Sequence, residues 1–336
     1  GGNEYRYTAS CYGYQSEHKT FVAENGEKEI PVTLKESTAV HEGLTDNEWV
    51  NYRNNDENNG ITDRTTPTSQ EGANLKWGVK YGESWGAACT PPLILGGYLY
   101  TLQGNQILKL DKETGECVDR SEELNGSAGF ALNPLTYGDG LIYAQIGNGS
   151  IQAVDAATLK SVWVSDPVGG QTLCPITYRN GYIYTGTWNS ESAIGTYFCL
   201  SVTDEDPNSG TETKYPSWTF EHQGGFYWAG AYVEEGSDGN DYVVFGSDDG
   251  SSEGSYVNNA VLYSLSAETG QVVDKITGLS GDIRSSIAYD DGKVYFATKG
   301  GYLYRASLDN GQLDDLAEYN LGGMATATPL VYNGRV

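Results

Sequence analysis

PLTYGDGLIY at residues 134–143 is an apolar–polar alternation broken by a glycine turn, and it recurs along the chain. Other copies are PLILGGYLY at 92–100, PITYRNGYIY at 175–184, the diverged DYVVFG at 241–246, SIAYDDGKVY at 286–295 and the opening of a sixth, PLVYNGRV, at 329–336. A short phrase that returns at a regular interval indicates a repeat protein in which each copy is one supersecondary unit.

The spacing of the copies sets the size of the unit. The aromatic residues that end successive second strands are 43, 41, 61 and 50 positions apart, in the order Tyr100, Tyr143, Tyr184, Phe245 and Tyr295. Alternation between Gly, Asp and Asn turns predicts short strands joined by hairpins, and no repeat has a helical period. Four short strands in a unit of about 40 to 50 residues are typical of a propeller blade. The sequence therefore predicts an all-β propeller of four-stranded antiparallel blades, five complete and a sixth begun.

The ends of the repeats resemble the PQQ-like (quinoprotein-type) β-propeller family. LDKETG at 110–115 and SAETG at 266–270 carry its Thr-Gly ending, and WVNYRN at 49–54 with NGIT at 59–62 is similar to the sequence that leads into such propellers. The resemblance covers roughly residues 46 to 336. It implies the propeller fold, but it does not imply a bound quinone, since many members of the family bind none.

The resemblance also implies how blades are tied together. Blades of this family usually end Thr-Gly-x-x-x-Trp, and only Trp163 keeps that register here. Trp77 and Trp218 are expected on equivalent fourth strands without the preceding Thr-Gly. We therefore expect packing between blades that is less regular than in the family.

Residues before the repeats belong to a different unit. Stretches such as YRYTAS at 5–10 and EIPVTL at 29–34 predict short strands, and together they resemble the end of an immunoglobulin-like or carboxypeptidase-regulatory-like module. We divide the chain into 1–40, the β-sandwich-like remnant of such a module, 41–74, a linker leading into the propeller, and 75–336, a propeller expected to be truncated at its C-terminal end. This organisation suggests a modular bacterial protein.

The charge and hydropathy of the chain limit the cellular locations in which the protein is expected. The formal net charge is −25 and the sequence pI is about 4.3, so the long-range field repels nucleic-acid backbones and anionic membranes. No apolar run approaches the roughly 18 residues of a membrane-spanning helix. With the family context, these features predict an extracellular or cell-surface location.

Five cysteines are scattered through the chain without a CxxC spacing: Cys11, Cys89, Cys117, Cys174 and Cys199. Free thiols in strands are the prediction, because a free cysteine behaves as a small hydrophobic residue. A disulfide between Cys89 and Cys174 is the alternative.

The expected signatures of an enzyme are missing. Quinoprotein dehydrogenases hold PQQ under an adjacent Cys-Cys disulfide beside calcium, and this sequence has no adjacent cysteines. It has three histidines and no HExxH, GxSxG or P-loop spacing. Acidic pairs such as Asp248-Asp249 are predicted to be solvated turn residues. We expect no cofactor and in particular no PQQ; a diverged quinoprotein-type dehydrogenase, an unrecognised hydrolase and an assembly scaffold stay open as alternatives.

One acidic loop could bind calcium. Asp204, Asp206 and Asn208 offer oxygen ligands at alternate positions, as in an EF-hand loop, but the glycine falls one position late and no glutamate follows at the twelfth. A calcium site here is an alternative to a plain hydrophilic loop.

Aromatic residues give the strongest indication of a binding site. Segments such as 225–229 and 282–285 are predicted to be innermost strands lining the central channel, where ligands of propellers often bind. The candidate residues are Trp85, Phe130, Trp188, Tyr227, Trp228 and Arg284. Flat rings at a channel mouth can stack on a sugar or a peptide; the alternative is that they fill the space between blades. The sequence thus predicts a non-catalytic binding or adhesion module for an extracellular glycan, peptide or protein.

Overall fold

The computed structural model describes residues 4–9, 17–22, 30–35, 49–62, 67–80, 89–127, 134–252 and 254–336. Within them the regular structure is β-strand, apart from two single-turn 3-10 helices at Tyr52–Asn54 and Gln70–Gly72. No helix in this part of the chain is long and apolar enough to cross a membrane. Trp85 and Phe130 lie outside the described residues.

The described strands form an N-terminal hairpin and five sheets, which we number blade 1 to blade 5. The hairpin is β1 (Glu4–Ala9) and β2 (Glu17–Val22). Blade 1 is β3 (Leu93–Leu95), β4 (Tyr98–Gln103), β5 (Gln106–Asp111) and β6 (Cys117–Arg120). Blade 2 is β7 (Thr136–Gly138), β8 (Leu141–Ile146), β9 (Ser150–Asp155) and β10 (Ser161–Ser165).

The remaining strands complete three further blades. Blade 3 is β11 (Gln171–Thr172), β12 (Thr177–Arg179), β13 (Tyr182–Trp188), β14 (Ile194–Ser201) and β16 (Trp218–Gln223). Between β14 and β16, the strand β15 (Glu212–Lys214) pairs with β10 at the edge of blade 2. Blade 4 is β17 (Tyr232–Glu235), β18 (Asp241–Gly246), β19 (Ala260–Ser266) and β20 (Val272–Leu279). Blade 5 is β21 (Ala288–Asp290), β22 (Lys293–Ala297), β23 (Tyr302–Asp309) and β24 (Gln312–Asn320).

All strand pairs within the blades are antiparallel; the pairing of β10 with β15 is parallel. The predicted all-β class and four-stranded antiparallel units are confirmed, and five units are complete. The sixth copy of the repeat forms only an isolated bridge between Tyr332 and Arg335. The prediction of a strand at 29–34 is wrong, because residues 30–35 form no strand. The β1–β2 hairpin alone shows no immunoglobulin-like module.

The hydrophobic core lies between neighbouring blades. In β8, Ile142 and Ala144 belong to a buried cluster with Leu93 of blade 1, while Tyr143 belongs to a cluster with Phe198 of blade 3. Because successive side chains of a strand point to opposite faces, a strand buried on both faces is apolar at nearly every position. Two further clusters join blade 3 to blade 4 and blade 4 to blade 5 in the same way.

Tryptophans on three segments bind the turn of the next blade. The indole Nε1 groups of Trp77, Trp163 and Trp218 donate to the carbonyls of Lys112 (3.0 Å), Val202 (3.2 Å) and Ala267 (2.8 Å). A Cβ at Gly270 would lie 2.6 Å from the Trp218 ring, so that turn requires glycine. Trp218 lies on a fourth strand as expected. The expectation for Trp77 was wrong, because residues 67–80 form no strand.

The cysteines are free thiols wherever the structure describes them: Cys89, Cys117, Cys174 and Cys199. The alternative of a bond between Cys89 and Cys174 is therefore wrong. Cys174 and Cys199 are buried, whereas Cys89 and Cys117 are partly exposed. Cys11 lies outside the described residues.

Residues 49–62, the central segment, contact the first strand of blade after blade. Backbone hydrogen bonds join Trp49 to Ile94 of blade 1, Val50 to Tyr137 of blade 2 and Glu57 to Tyr289 of blade 5. On blade 3, Arg179 lies 3.6 Å from the Asp56 carboxylate. Since one short segment reaches the same edge of these sheets, the first strands form the inner rim of the propeller.

Asn58 ties the central segment to blades 4 and 5. Its side-chain amide donates to the carbonyls of Ala231 (2.9 Å), just before β17, and Ile287 (3.0 Å), just before β21. The residue is 6% exposed and has φ of 53°, a left-handed conformation that asparagine tolerates better than most residues. Beyond blade 5, the Tyr52 hydroxyl hydrogen-bonds the Thr328 hydroxyl, and Arg53 donates to the Thr328 carbonyl.

We predict that Asn58→Ala lowers the free energy of unfolding by about 2–3 kcal/mol, because the change removes both buried hydrogen bonds and leaves the Ile287 carbonyl without its donor, whereas the Ala231 carbonyl still accepts from Thr177 Oγ1 (2.9 Å). The matched control is Asn148→Ala. Asn148 is also left-handed, with φ of 64°, but is exposed, so its replacement should cost about 1 kcal/mol or less. Urea denaturation measures both; equal losses would show that the hydrogen bonds of Asn58 contribute nothing.

Candidate functional site

The candidate site lies at one end of the strands. In an antiparallel sheet, hairpins between second and third strands and connections to the next blade lie at the same end. Trp188 and Glu191 lie at the β13–β14 hairpin, Asp248 at the β18–β19 hairpin, Trp228 between blades 3 and 4, and Arg284 between blades 4 and 5. The topology therefore places all of these residues on one face.

Three aromatic side chains, the aromatic cluster, meet on this face: Trp188, Tyr227 and Trp228. The ring centres of Trp188 and Tyr227 are 4.9 Å apart and those of Tyr227 and Trp228 are 4.5 Å apart, both in edge-to-face geometry. Trp188 and Tyr227 are partly exposed, and Trp228 is 41% exposed. The indole Nε1 of Trp188 is buried and has no hydrogen-bond partner among the described residues.

Trp228 is presented by a constrained connection. Its φ is 59°, a left-handed conformation that costs a bulky residue free energy. Its carbonyl accepts hydrogen bonds from the Gly230 amide (2.9 Å) and from Ser286 Oγ (3.3 Å), while the Asp248 amide donates to Gly225 (3.0 Å). The surrounding blades thus hold an exposed indole in an unfavourable backbone conformation, which is common at functional sites.

A charged cluster lies beside the rings: Glu191, Asp248, Asp282 and Arg284. The Arg284 side chain donates from Nη2 to Asp248 Oδ2 (2.7 Å) and to Glu191 Oε2 (2.9 Å), and Nη2 lies 3.2 Å from Asp282 Oδ2. Arg284 Nε donates to the Asp248 carboxylate as well, at 3.1 and 3.2 Å. Lys299 Nζ lies 3.6 Å from Asp282 Oδ2.

Arg284 joins the charged cluster to the aromatic cluster. Its guanidinium carbon lies 4.5 Å from the centre of the Tyr227 ring and 5.8 Å from that of Trp188, within the range of cation–π attraction. The side chain is only 8% exposed. The charge of the arginine is therefore shared between the carboxylates and the faces of the rings.

Burial dominates the titration of the acidic groups. The side chains of Asp248 and Asp282 are fully buried. Burial raises the pKa of Asp248 to about 8, although Arg284 favours its ionised form. Burial also raises the pKa of Asp282, opposed by the hydrogen bond from the Asp249 amide.

The structure brings together four of the residues singled out from sequence: Trp188, Tyr227, Trp228 and Arg284. The segments 225–229 and 282–285 are connections between blades, not the innermost strands that the sequence predicted. The interpretation of Asp248 and Asp249 as solvated turn residues is wrong, since they are 0% and 2% exposed.

The buried acids have identifiable roles. Asp249 accepts hydrogen bonds from the amides of Val257 (3.2 Å) and Asn259 (2.8 Å) and so holds the β18–β19 hairpin.

Sequence reasoning missed Glu191, and it missed Asp282 as a partner of Arg284. The available signal was that acidic residues occur at neighbouring connections on one face, as in SDDG at 247–250 and GDIR at 281–284.

Asp204, Asp206 and Asn208 lie in a different place, between β14 and β15. There Lys214 Nζ pairs with Glu205 (3.0 Å) and Glu212 (3.3 Å). The Glu212 carboxylate accepts the amides of Glu205 and Asp206 at 3.2 and 2.5 Å. An ion pair and backbone hydrogen bonds therefore organise this loop, and calcium binding there stays an untested alternative.

A cavity of about 1010 Å³ lies near the opposite end of the strands. It is lined by Tyr7 and Lys19 of the N-terminal hairpin and by first-to-second strand turns of blades 3 and 4, including Asn180 and Asn240. Its lining lacks the buried ion pairs of the charged cluster, so we treat the other face as the candidate site.

Comparisons with known proteins support the architecture. Residues 65–180, less than half of the chain, match a family profile described as "Outer membrane protein assembly factor BamB". No curated protein matches the sequence. The resemblance to PQQ-like repeat propellers is supported by this match.

Solved structures show the same fold at low identity. A europium-containing methanol dehydrogenase matches with a TM-score of 0.60 at 13% identity, over 82% of this chain and 59% of that one. A quinohemoprotein alcohol dehydrogenase from Comamonas testosteroni gives 0.59 at 15%, over 81% and 49%. The computationally designed Ika8 protein gives 0.51 at 14%, over 71% and 64%. The chain thus spans less than two thirds of each of these structures, and the likeness confirms the propeller fold alone.

We predict that Trp228→Gly is more stable to unfolding than Trp228→Ala by about 1 kcal/mol, because only glycine adopts φ near 60° without steric cost. The control pair is Tyr215→Gly and Tyr215→Ala. Tyr215 is 68% exposed and has no left-handed backbone, so glycine should be the less stable variant there. Urea denaturation of the four variants tests this; the same order at both positions would contradict the strain at Trp228.

We predict that the stability of the wild type falls relative to that of Asp248→Asn as the pH rises from 5 to 9. A carboxyl whose folded pKa is raised stabilises the native state fully below its unfolded pKa, and this contribution is lost as the pH rises through the folded value. Unfolding free energies measured across this range provide the test.

The control for the pH experiment is Asp238→Asn. Hydrogen bonds from Tyr242 and Asn240 lower the pKa of exposed Asp238, so its contribution changes only in acid, outside this range. A wild-type stability that runs parallel to that of Asp248→Asn between pH 5 and 9 would contradict a raised pKa at Asp248.

Proposed function

We propose that this protein is a non-catalytic binding module whose ligand binds at the aromatic cluster. The observation that carries the proposal is Trp228, an exposed indole held in a left-handed backbone conformation beside two further rings. Core packing gives no reason to expose a large ring at the cost of backbone strain. A ligand that stacks on the ring supplies one.

The polar groups beside the rings fit recognition of a hydroxylated ligand. Glu191 is 35% exposed and lies at the rim of the charged cluster, so its free lone pairs can accept hydrogen bonds from a ligand. Rings with nearby carboxylate acceptors suit a sugar or a peptide with hydroxyl side chains. Of these two we favour an extracellular glycan.

The strong negative charge supports a location and a partner class. A net charge of −25 disfavours nucleic acid and anionic lipid surfaces as ligands. We propose that the module works outside the cell or at its surface. We also propose that it works without PQQ, because Arg284 already fills the space between the acidic groups that would surround a cation.

A second candidate is an assembly scaffold that binds protein partners. The observation that favours it is the match of residues 65–180 to a profile described as an outer membrane protein assembly factor. A scaffold of this kind would bind its partner through blade surfaces, without requiring Trp228.

The test is a glycan array and a peptide library probed with the whole chain, followed by calorimetry on the strongest hit. We expect Trp228→Gly to weaken that hit at least about fivefold, since stacking on one ring contributes about 1–3 kcal/mol. Tyr215→Ala, which removes an exposed ring elsewhere, should leave the Kd unchanged. A ligand whose Kd is the same for the wild type and Trp228→Gly would refute the site, and a protein partner with that behaviour would favour the scaffold.

A further inference from the structure

One nitrogen atom lies among three carboxylates that come from three different connections. Arg284 Nη2 is 2.9 Å from Glu191, 2.7 Å from Asp248 and 3.2 Å from Asp282. The Nη2 atom carries two hydrogens, which Glu191 and Asp248 accept. Asp282 Oδ2 is buried and receives no hydrogen bond from the described residues, and its contact with Arg284 is an ion pair.

The three carboxylates have the spacing of a metal site. One oxygen from each lies within 4.8 Å of the others. Calcium binds oxygen ligands at about 2.3–2.6 Å, so oxygens on opposite sides of an ion are about 5 Å apart. The nitrogen of Arg284 therefore occupies the position that a divalent cation would take between the same oxygens.

We propose that Arg284 is a built-in cation that replaces a metal ion in this cluster, so that the wild-type site works without metal and removal of the arginine opens a calcium site. The inference holds whatever ligand stacks on Trp228, and it does not rest on the proposed function. It follows from the position of one nitrogen atom among three carboxylates, two of which are fully buried.

A fixed arginine and a bound metal ion have different consequences. The guanidinium contacts the faces of Tyr227 and Trp188, so it orients the aromatic cluster at all times. A metal ion would leave when its free concentration fell, and chelators would then disorganise the site. We therefore expect EDTA to have no effect on the wild type.

The experiment uses Ca²⁺ and Tb³⁺ as probes on the full chain at pH 8.5, which favours the ionised forms of Asp248 and Asp282, since burial raises the pKa of both. Calorimetry with Ca²⁺ should show no binding to the wild type at this cluster. Arg284→Ala should bind Ca²⁺ with a Kd of about 1 mM or tighter, the range of extracellular calcium modules. Excitation of tryptophan should sensitise Tb³⁺ luminescence in the variant, because Trp188 lies against the cluster.

Two double variants test the parts that Lys299 and Asp282 play in the opened site. Lys299 is close enough to Asp282 to move into the vacated space, so Arg284→Ala with Lys299→Gln should bind Ca²⁺ more tightly than Arg284→Ala alone. Arg284→Ala with Asp282→Asn lacks one ligand and should bind at least tenfold more weakly. Ca²⁺ should also raise the Tm of Arg284→Ala while leaving the Tm of the wild type unchanged.

Two results overturn the proposal. The first is Ca²⁺ binding to the wild type that Asp282→Asn abolishes, a measurement that needs no arginine variant to fold. The second is a folded Arg284→Ala or Arg284→Gln protein that binds neither Ca²⁺ nor Tb³⁺ in the millimolar range. Because neither result involves the ligand of Trp228, failure here is distinguishable from failure of the proposed function.

Discussion

The meeting of the first strands on residues 49–62 is the constraint on which the rest of the structure depends. An edge strand carries backbone groups that need partners, and the central segment supplies them to blades 1, 2 and 5 through its own backbone. The Asn58 amide does the same for the carbonyls that precede β17 and β21. Once the first strands are fixed at the inner rim, the face on which each hairpin and inter-blade connection lies is determined. The aromatic and charged clusters therefore lie together on one face.

Aromatic side chains pack against the next blade at several of the interfaces. Trp77, Trp163 and Trp218 bind the next blade through their indole nitrogens. The fourth strand of blade 4 has no tryptophan; instead Tyr242, on the second strand β18, packs on the Gly311 turn of blade 5, where a Cβ would lie 2.4 Å from the ring. Rings of Tyr232 and Tyr289 stack across the same interface at 4.3 Å. A flat ring over a glycine turn therefore recurs at three places, as tryptophan at Gly115 and Gly270 and as tyrosine at Gly311.

Several features of the candidate site cost folding free energy, which the rest of the propeller must supply. Trp228 has an unfavourable backbone conformation, two aspartates are fully buried, and an indole nitrogen lacks a partner among the described residues. Arg284 offsets much of this cost, since it neutralises the carboxylates and contacts two rings. A buried charge network is weak evidence of added stability, because replacing it with apolar residues is often neutral. Its retention beside an exposed ring is better explained by the positioning of that ring.

The sequence by itself determined the repeat unit, the strand class and four of the residues that meet at the site, because alternation and turn residues are local properties of the chain. It also indicated Trp77, Trp163 and Trp218, the tryptophans that bind the next blade. Only the tertiary structure decided that residues 49–62 hold the inner rim and that Asp248 and Asp282 are buried around Arg284. Those contacts join residues tens to hundreds of positions apart, and no local pattern records which loops of different blades will meet. The burial that raises the pKa of Asp248 is likewise created only when the blades assemble.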